Sequence, residues 1–408
     1  MATLAFAPDA PADSLDVSRA DIYRDDTWHE PFRWLRANAP VHKIEQSDFG
    51  PYWSVSTYKP IVEVESLPDL YSSEANGFTI SPIAEGDVRM PMFIGRDRPI
   101  HTAQRRTVAP AFTPTEMQRL SSDIRQRTAE VLDALPSGRF DWVEHVSVEL
   151  TTQMLAILFD VPWEDRRKLT EWSDWMGDIE SAKDPERGQV RLEKVYEAGA
   201  YFQRLWAEKA GRPPAPDLIS MMIHSDAMSH MDHNEFMGNL ILLIVGGNDT
   251  TRNTMSGLVH ALDLFPDERA KLEADAGLIP NAVSEIIRWQ TPLAHMARTA
   301  TADTELAGQR IAAGDKVVMW YISANRDESM FEDADAYRVD RANARRHLAF
   351  GHGIHRCVGA RLAELQVSIL LEEMAKRRLR VHGAGAPERV AACFVHGYRA
   401  LPVEVERY

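Results

Sequence analysis

One cysteine carries the most specific chemical signal in the sequence. Cys357 stands in Phe350-Gly351-His352-Gly353-Ile354-His355-Arg356-Cys357-Val358-Gly359, a turn punctuated by glycines. Val358, Leu362, Leu365 and Ile369 follow at helical spacing, which predicts that Cys357 lies at a helix N-terminus. Unpaired N–H groups and the positive end of the helix dipole favour an anion there. A thiol so placed ionises more readily and becomes a soft metal ligand. Gly353 permits a tight turn before the sulfur, and Gly359 leaves space where a flat cofactor needs close approach. Two other readings of a lone thiol compete. One is a small buried hydrophobe. The other is zinc, with His352 and His355 at hand, but a structural zinc site takes four ligands and the only other cysteine is the remote Cys393.

Three further groupings have chemical potential. Gly246-Gly247-Asn248-Asp249-Thr250-Thr251 interrupts an apolar run with two glycines, an acid and hydroxyls. Each glycine costs roughly 1 kcal/mol in a helix interior, and acid and hydroxyl side chains compete for helical hydrogen bonds. Periodicity resumes through Met255, Leu258 and Leu262, so a locally opened helix over residues 234–264 fits better than a new helix capped at Asn248, Asp249 or Thr250. Glu285 and Arg288 stand three apart on a helix face, a spacing that as an exposed pair contributes only about 0.2–0.5 kcal/mol. His101 and Arg105 stand four apart on a second helix face.

Together these segments resemble the cytochrome P-450 family from about residue 20 to the C-terminus. The decapeptide matches that family's Phe-x-x-Gly-x-His/Arg-x-Cys-x-Gly pattern at every defined position, residues 246–251 match its oxygen-activation motif, and residues 285–288 match its Glu-x-x-Arg. The resemblance implies a mainly α, cytochrome P-450 fold: many helices with a small β-rich lobe. Haem b would lie between the long central helix and the Cys-bearing helix, with Cys357 as its axial thiolate. His101, Arg105, Arg298 and His355 would hold the haem propionates, and Phe350, Gly351, Gly359 and Gly246 would lie beside the macrocycle. Asp249 and Thr250 take the catalytic roles, delivering protons to dioxygen, while Gly246 and Gly247 make room for oxygen and substrate. Glu285 and Arg288 would lock the irregular segment that carries the cysteine. An arginine common in that segment falls on Ala336 here, leaving Arg338 or Arg341 to take its place. The implied reaction inserts one atom of O2 into an unactivated C–H bond and releases the other as water.

Residues 247–253, 285–296, 314–321 and 353–359 are similar to the bacterial terminal alkane hydroxylases of the family. That implies hydroxylation at the end carbon of medium-chain alkanes or fatty acids. The pocket would then draw on Phe78, Ile80, Ile83, Leu242, Val245, Gly246, Leu293, Ala294, Met296, Phe394 and Val395, an apolar set suited to an alkyl chain. Arg89 or Arg96 near the expected entrance could bind a fatty-acid carboxylate, or be a surface bystander. The same chemistry on a terpenoid or aromatic substrate is the alternative. A haem sensor would share the cysteine loop but has no use for Asp249 and Thr250.

The elements that must position these residues are mostly helices. Apolar spacing predicts helices over residues 117–135, 146–159, 166–179, 190–209 and 281–289, besides the long one. Residues 41–45 and 52–56 read as a hairpin, and 297–301, 316–320 and 403–406 as strands. Residues 332–347 are irregular, an odd length unless they serve a site. Residues 1–20 read as a disordered lead-in and 21–408 as a single haem domain. Net charge of −15 argues against nucleic acid as a partner. The longest strongly apolar run, residues 240–245, is too short for a membrane span. Two cysteines outside any disulfide framework fit a cytoplasmic location. No dinucleotide fingerprint is present, so electrons are expected from a separate ferredoxin and ferredoxin reductase. Arg105, Arg106, Arg345, Arg346, Arg356 and Arg361 would offer the ferredoxin a basic face.

Overall fold

Residues 15–83, 89–178 and 184–408 are described by a computed structural model. The helix His233–Leu264 runs unbroken for 32 residues, about 48 Å at the standard rise. It begins where the Asp232 side chain accepts the Glu235 N–H at 2.9 Å, a standard helix cap. It ends at Phe265, ahead of Pro266. Its first half packs Leu240 and Ile244 into one apolar cluster, and its second half packs Met255, Leu258 and Leu262 into another. The helix Ala360–Lys376 spans the same two clusters, giving Leu362 and Ile369 to the first and Val367, Leu370 and Met374 to the second. These two helices bracket the space that the site occupies.

The expected opening at the two glycines is not a break. Helical hydrogen bonding continues through residues 246–251, and the side chains bond within the helix. Thr250 Oγ1 donates to the Gly246 carbonyl at 3.0 Å, Asn253 to that of Asp249 at 2.8 Å and Thr254 to that of Thr250 at 2.8 Å. Packing of the flanking apolar turns overrides the glycine cost.

The other predicted helices appear as Pro114–Asp133, Glu149–Phe159 (entered through a π-helical turn at Val143–Val148), Arg166–Met176, Pro185–Lys209 and Ile279–Gln290. Four of the five predicted strands fall in a five-stranded sheet, ordered Val41–Ile44, Tyr52–Val55, Lys316–Trp320, His295–Ala300, Tyr71–Ser72. Its hairpin pairs Val41 with Val55, Tyr52–Val55 runs parallel to Lys316–Trp320, and Arg298 pairs with Val317. A three-stranded sheet joins Phe140–Asp141, Pro402–Arg407 and Leu379–Gly383. The fold is therefore mainly helical with small sheets.

Part of the expected lead-in is packed. Val17 is buried, its carbonyl accepts the Tyr23 hydroxyl at 2.8 Å, and Asp16 accepts that of Tyr52 at 2.9 Å. A helix begins at Ala20. Residues 1–14 lie outside the described residues. Among the described residues, no helix is long and apolar enough to cross a membrane.

Candidate active site

Cys357 sits between a short 3-10 turn, Gly353–His355, and the helix Ala360–Lys376. Its N–H donates to the Phe350 carbonyl at 2.8 Å, which closes the loop. Gly351 and Gly353 both have positive φ, 67° and 64°, a region that side chains rarely tolerate. A Cβ on Gly353 would also stand 2.2 Å from the Glu65 carbonyl oxygen. Burial pushes the Cys357 thiol up, while the Gly359 N–H and the charges of Arg105 and Arg356 favour the thiolate. The sulfur opens onto an internal cavity, so a metal in that cavity would complete its stabilisation. A Cβ on Gly359 would meet only Phe112 ring atoms, at 3.7 and 3.9 Å. The protein alone does not demand glycine there; a flat group lying across it would.

The cavity holds about 490 Å³ and runs between the cysteine loop and the central helix. Cys357, Phe350, Gly351 and Gly359 form one wall, and Gly246, Asp249 and Thr250 form the other. The two glycines of the central helix play different parts. Nothing lies within 4 Å of a Cβ built on Gly246, whereas one on Gly247 would stand 2.8 Å from Leu155. Gly246 thus leaves space in the cavity, and Gly247 admits a neighbouring helix.

Asp249 is buried and held by Ser173 Oγ at 2.9 Å and Arg252 Nη2 at 3.0 Å. Burial raises its carboxyl to about 6, with Arg252 and Ser173 opposing and Asp174 adding to the rise. Arg252 also donates through Nη1 to Asp174 at 2.7 Å, and Asp174 is half exposed. A buried acid that titrates near neutrality is thereby linked through one guanidinium to the surface.

His101, Arg105, Arg298 and His355 gather at one end of the cavity. The rings of His101 and His355 lie 4.2 Å apart. Both ring nitrogens of His101 and Nδ1 of His355 are buried without a hydrogen-bond partner among the described residues, whereas His355 Nε2 meets Ser73 Oγ at 3.1 Å. Burial holds His101 down to about 4, reinforced by Arg105, Arg98 and Arg298. Burial is the main effect on His355 too, followed by Arg298, His101 and Arg105. Orphaned nitrogens packed among arginines require an anion to satisfy them. Two haem propionates, with the iron over Cys357, supply that need, so these residues fit a haem.

Glu65 was not singled out by sequence reasoning, because its short helix, Tyr58–Ser66, gives little periodic signal. It accepts the Tyr321 hydroxyl at 2.7 Å and the His352 N–H at 2.7 Å, and lies 3.6 Å from Arg298 Nη2. It therefore ties the cysteine loop to the cation cluster. Burial lifts its carboxyl to about 7, against Arg298, Tyr321 and His352.

Glu285 and Arg288 are fully buried, joined at 2.7 Å (Nε–Oε2) and 2.8 Å (Nη2–Oε1). Arg288 also donates to the carbonyls of Asn325, Ala334 and Ala336 at 2.6, 2.8 and 2.9 Å. The open choice between Arg338 and Arg341 resolves to Arg341. Its Nε meets Glu285 Oε1 at 2.8 Å, while the Arg338 side chain reaches only Asp340, at 4.0 Å. The irregular segment ahead of the cysteine is thus held by its own carbonyls.

Beyond the haem space much of the cavity wall is apolar. Phe78, Leu242, Val245, Leu293, Met296, Phe394 and Val395 lie on it. Ile80 and Ala294 do not; both are buried in the cluster around Trp320. Thr79 and Ser81 reach the wall while Ile80 between them turns away. Ile83 is off the wall as well, beside Gly77. Arg89 is exposed, and Arg96 is paired with Glu74 at 2.5 Å and Glu235 at 3.6 Å. A further residue shapes the wall: the buried Lys316 donates to the carbonyls of Thr79, Ile80 and Ser81 at 3.2, 3.2 and 2.9 Å.

Fold and site together define a haem-thiolate protein, and comparison with known proteins agrees. Residues 203–377 match the family pattern described as cytochrome P-450. The structure superposes on CYP153D17 from Sphingomonas sp. PAMC 26605 with a TM-score of 0.93 and 72% identity, over 97% of this chain and 100% of that one. Linalool 8-monooxygenase of Pseudomonas putida is 34% identical over 95% of this chain and 98% of its own. The methyl-branched lipid omega-hydroxylase of Mycobacterium tuberculosis is 32% identical over 97% and 96%. The chain belongs to the cytochrome P-450 family. It is a haem-thiolate monooxygenase that uses a redox partner and acts on a hydrophobic substrate.

Proposed function

We propose that this monooxygenase hydroxylates the terminal carbon of medium-chain alkanes or fatty acids, in the cytoplasm, with electrons from a ferredoxin and its reductase. The observation that carries the reading is the apolar wall of Leu242, Val245, Leu293, Met296, Phe394 and Val395 facing the space left by Gly246. An alkyl chain has no polar group to satisfy, and such a wall offers none. The 72% identity to CYP153D17 and the 32% identity to a lipid omega-hydroxylase support it.

In this reading Cys357 holds the iron, and His101, Arg105, Arg298 and His355 hold the propionates. Bound haem supplies reductive activation of O2, with one atom entering the C–H bond and the other leaving as water. The chain's own part is confinement and proton supply. Leu242, Val245, Leu293 and Phe394 direct a chain end at the haem face and exclude water. Thr250 presents a hydroxyl to the cavity while its proton rests on the Gly246 carbonyl. Asp249, poised at about 6 and joined through Arg252 to the half-exposed Asp174, resupplies the proton. Arg105, Arg356 and Arg361 line a groove behind Cys357, a basic face suited to an acidic ferredoxin.

Optical titration with alkanes and fatty acids of graded length tests the proposal. A low-to-high-spin shift that peaks at one chain length supports it. A normal haem spectrum that answers only terpenoids or aromatics would transfer the activity to that class, which the 34% identity to linalool 8-monooxygenase makes the second reading.

A further inference from the structure

The cavity wall bears three arginines, and two of them, Arg105 and Arg298, belong to the propionate cluster. The third is Arg191, on the helix Pro185–Lys209. It comes to the wall together with Met176, Gly177, Asp178 and Gly188, beyond the apolar residues. Its Nη2 donates to the Met176 carbonyl at 3.2 Å. Among the described residues its Nε is buried with no hydrogen-bond partner, and no carboxylate forms an ion pair with it. Asp178 is the acidic group that influences it, and the Asp178 carboxylate is engaged by Arg187 Nε.

A half-buried guanidinium with an unfilled donor is costly, because a charged donor loses water and gains nothing in return. Arginine keeps its charge at any physiological pH, and its planar fork matches a carboxylate bidentately. A ligand carboxylate in the cavity would pair with the guanidinium where Arg191 lines the wall. An alkyl chain attached to it would then lie along Leu242, Val245 and Phe394 toward Thr250 and Cys357, which line the same cavity.

We propose that Arg191 is a substrate-binding residue that takes the carboxylate of a fatty acid, so that acids rather than plain alkanes are the better ligands. This rests on the alkyl reading above, which names both classes without choosing. The role expected for Arg89 or Arg96 passes to Arg191, since Arg96 is occupied by Glu74 and Glu235 and Arg89 lies off the cavity wall.

The test compares spin-state titrations of the haem-loaded enzyme with dodecanoate, dodecane and 1-dodecanol, for the wild type, Arg191→Met and Arg191→Lys. Each variant is first checked for the wild-type reduced carbon-monoxide spectrum. Loss of one charge-assisted contact predicts a dodecanoate Kd raised about tenfold or more in Arg191→Met. Dodecane and dodecanol should stay within about twofold of the wild type, and Arg191→Lys should lie between for the acid. An unchanged dodecanoate Kd in Arg191→Met would overturn the assignment, as would equal losses for acid and alkane. If the wild type answers dodecane but not dodecanoate, the alkyl reading stands and the acid preference falls. If it answers none of the three, the alkyl reading itself falls.

Discussion

Arg341 Nε donates to Glu285 Oε1 at 2.8 Å, the same oxygen that accepts the Arg338 backbone N–H at 3.0 Å. One position thus contributes a guanidinium and the other only its main chain, although both lie in the same irregular segment. Arg341 also reaches the carbonyls of Glu332, Asp333 and Ala336, so it braces the segment from inside. Removing one partner of such a buried network costs about 3–5 kcal/mol. Arg341→Ala is expected to lose that much stability or to fail to retain haem, whereas Arg338→Ala should stay within about 0.5 kcal/mol of the wild type. Chemical denaturation followed through the haem absorbance measures both.

Asp249 and Thr250 predict different failures. Thr250→Ala removes the hydroxyl at the cavity and should divert most electron use into peroxide with little change in substrate affinity. Asp249→Asn keeps the shape but carries no acidic proton, so turnover should fall by about 10²-fold or more, within the range of a lost acid catalyst. Oxygen, NADH and product balances separate the two. Unchanged coupling in Thr250→Ala would remove its role.

The pH behaviour of Asp249 has a definite sign. Its folded carboxyl is raised from 3.8 to about 6, so the fold binds a proton that the unfolded chain releases first. Its contribution is complete below 3.8 and is lost as pH rises through about 6. Stability should therefore fall across that window in the wild type, and this part of the slope should vanish in Asp249→Asn. Coupled turnover, which uses the protonated acid, should decline over the same range. Denaturation midpoints and coupling ratios at closely spaced pH values check both.

Lys316 pins the cavity wall. Burial lowers its ammonium from 10.5 to about 8, and three carbonyls share its Nζ. A neutral amine has only two N–H groups for those three acceptors. Substrate-induced spin shift should accordingly weaken as pH passes about 8, while global stability gains from this group between about 8 and 10.5, where the unfolded chain alone stays protonated. Lys316→Met should show the weakened response at every pH, with a substrate Kd raised about tenfold.

Gly246 faces open cavity, so Gly246→Ala is expected to fold normally and gain up to about 1 kcal/mol of helix propensity. Gly246→Val should fold too but obstruct the space beside Thr250. Spin shift for long or branched substrates should drop sharply in it while the carbon-monoxide spectrum is kept. A loss of haem in either variant would show that the added carbon intrudes on the haem space.

How far these features were legible varies with the length of chain that defines them. The cysteine decapeptide is contiguous and read directly, as was the Glu-x-x-Arg helix. The glycine pair was read as a distortion because propensity argued for one, yet the Thr250 and Thr254 hydroxyls turn inward to helical carbonyls and packing keeps the helix whole. The family resemblance puts Ile80 and Ala294 in the pocket; their side chains turn into the Trp320 cluster instead. Glu65 and Lys316 went unread for a common reason. Each acts through partners distant in sequence, with Glu65 meeting Tyr321 and His352, and Lys316 meeting Thr79 to Ser81. No local spacing encodes such pairings.

Oxygen insertion at the end of an alkyl chain is read from the position of the oxygen in the product. The haem-loaded enzyme would be turned over with a ferredoxin, its reductase and NADH on a medium-chain alkane and the matching fatty acid under ¹⁸O₂. One ¹⁸O atom is expected in the product, at the terminal carbon, in most of the hydroxylated material. Internal alcohols as the main products, or label absent from the terminal alcohol, would contradict it.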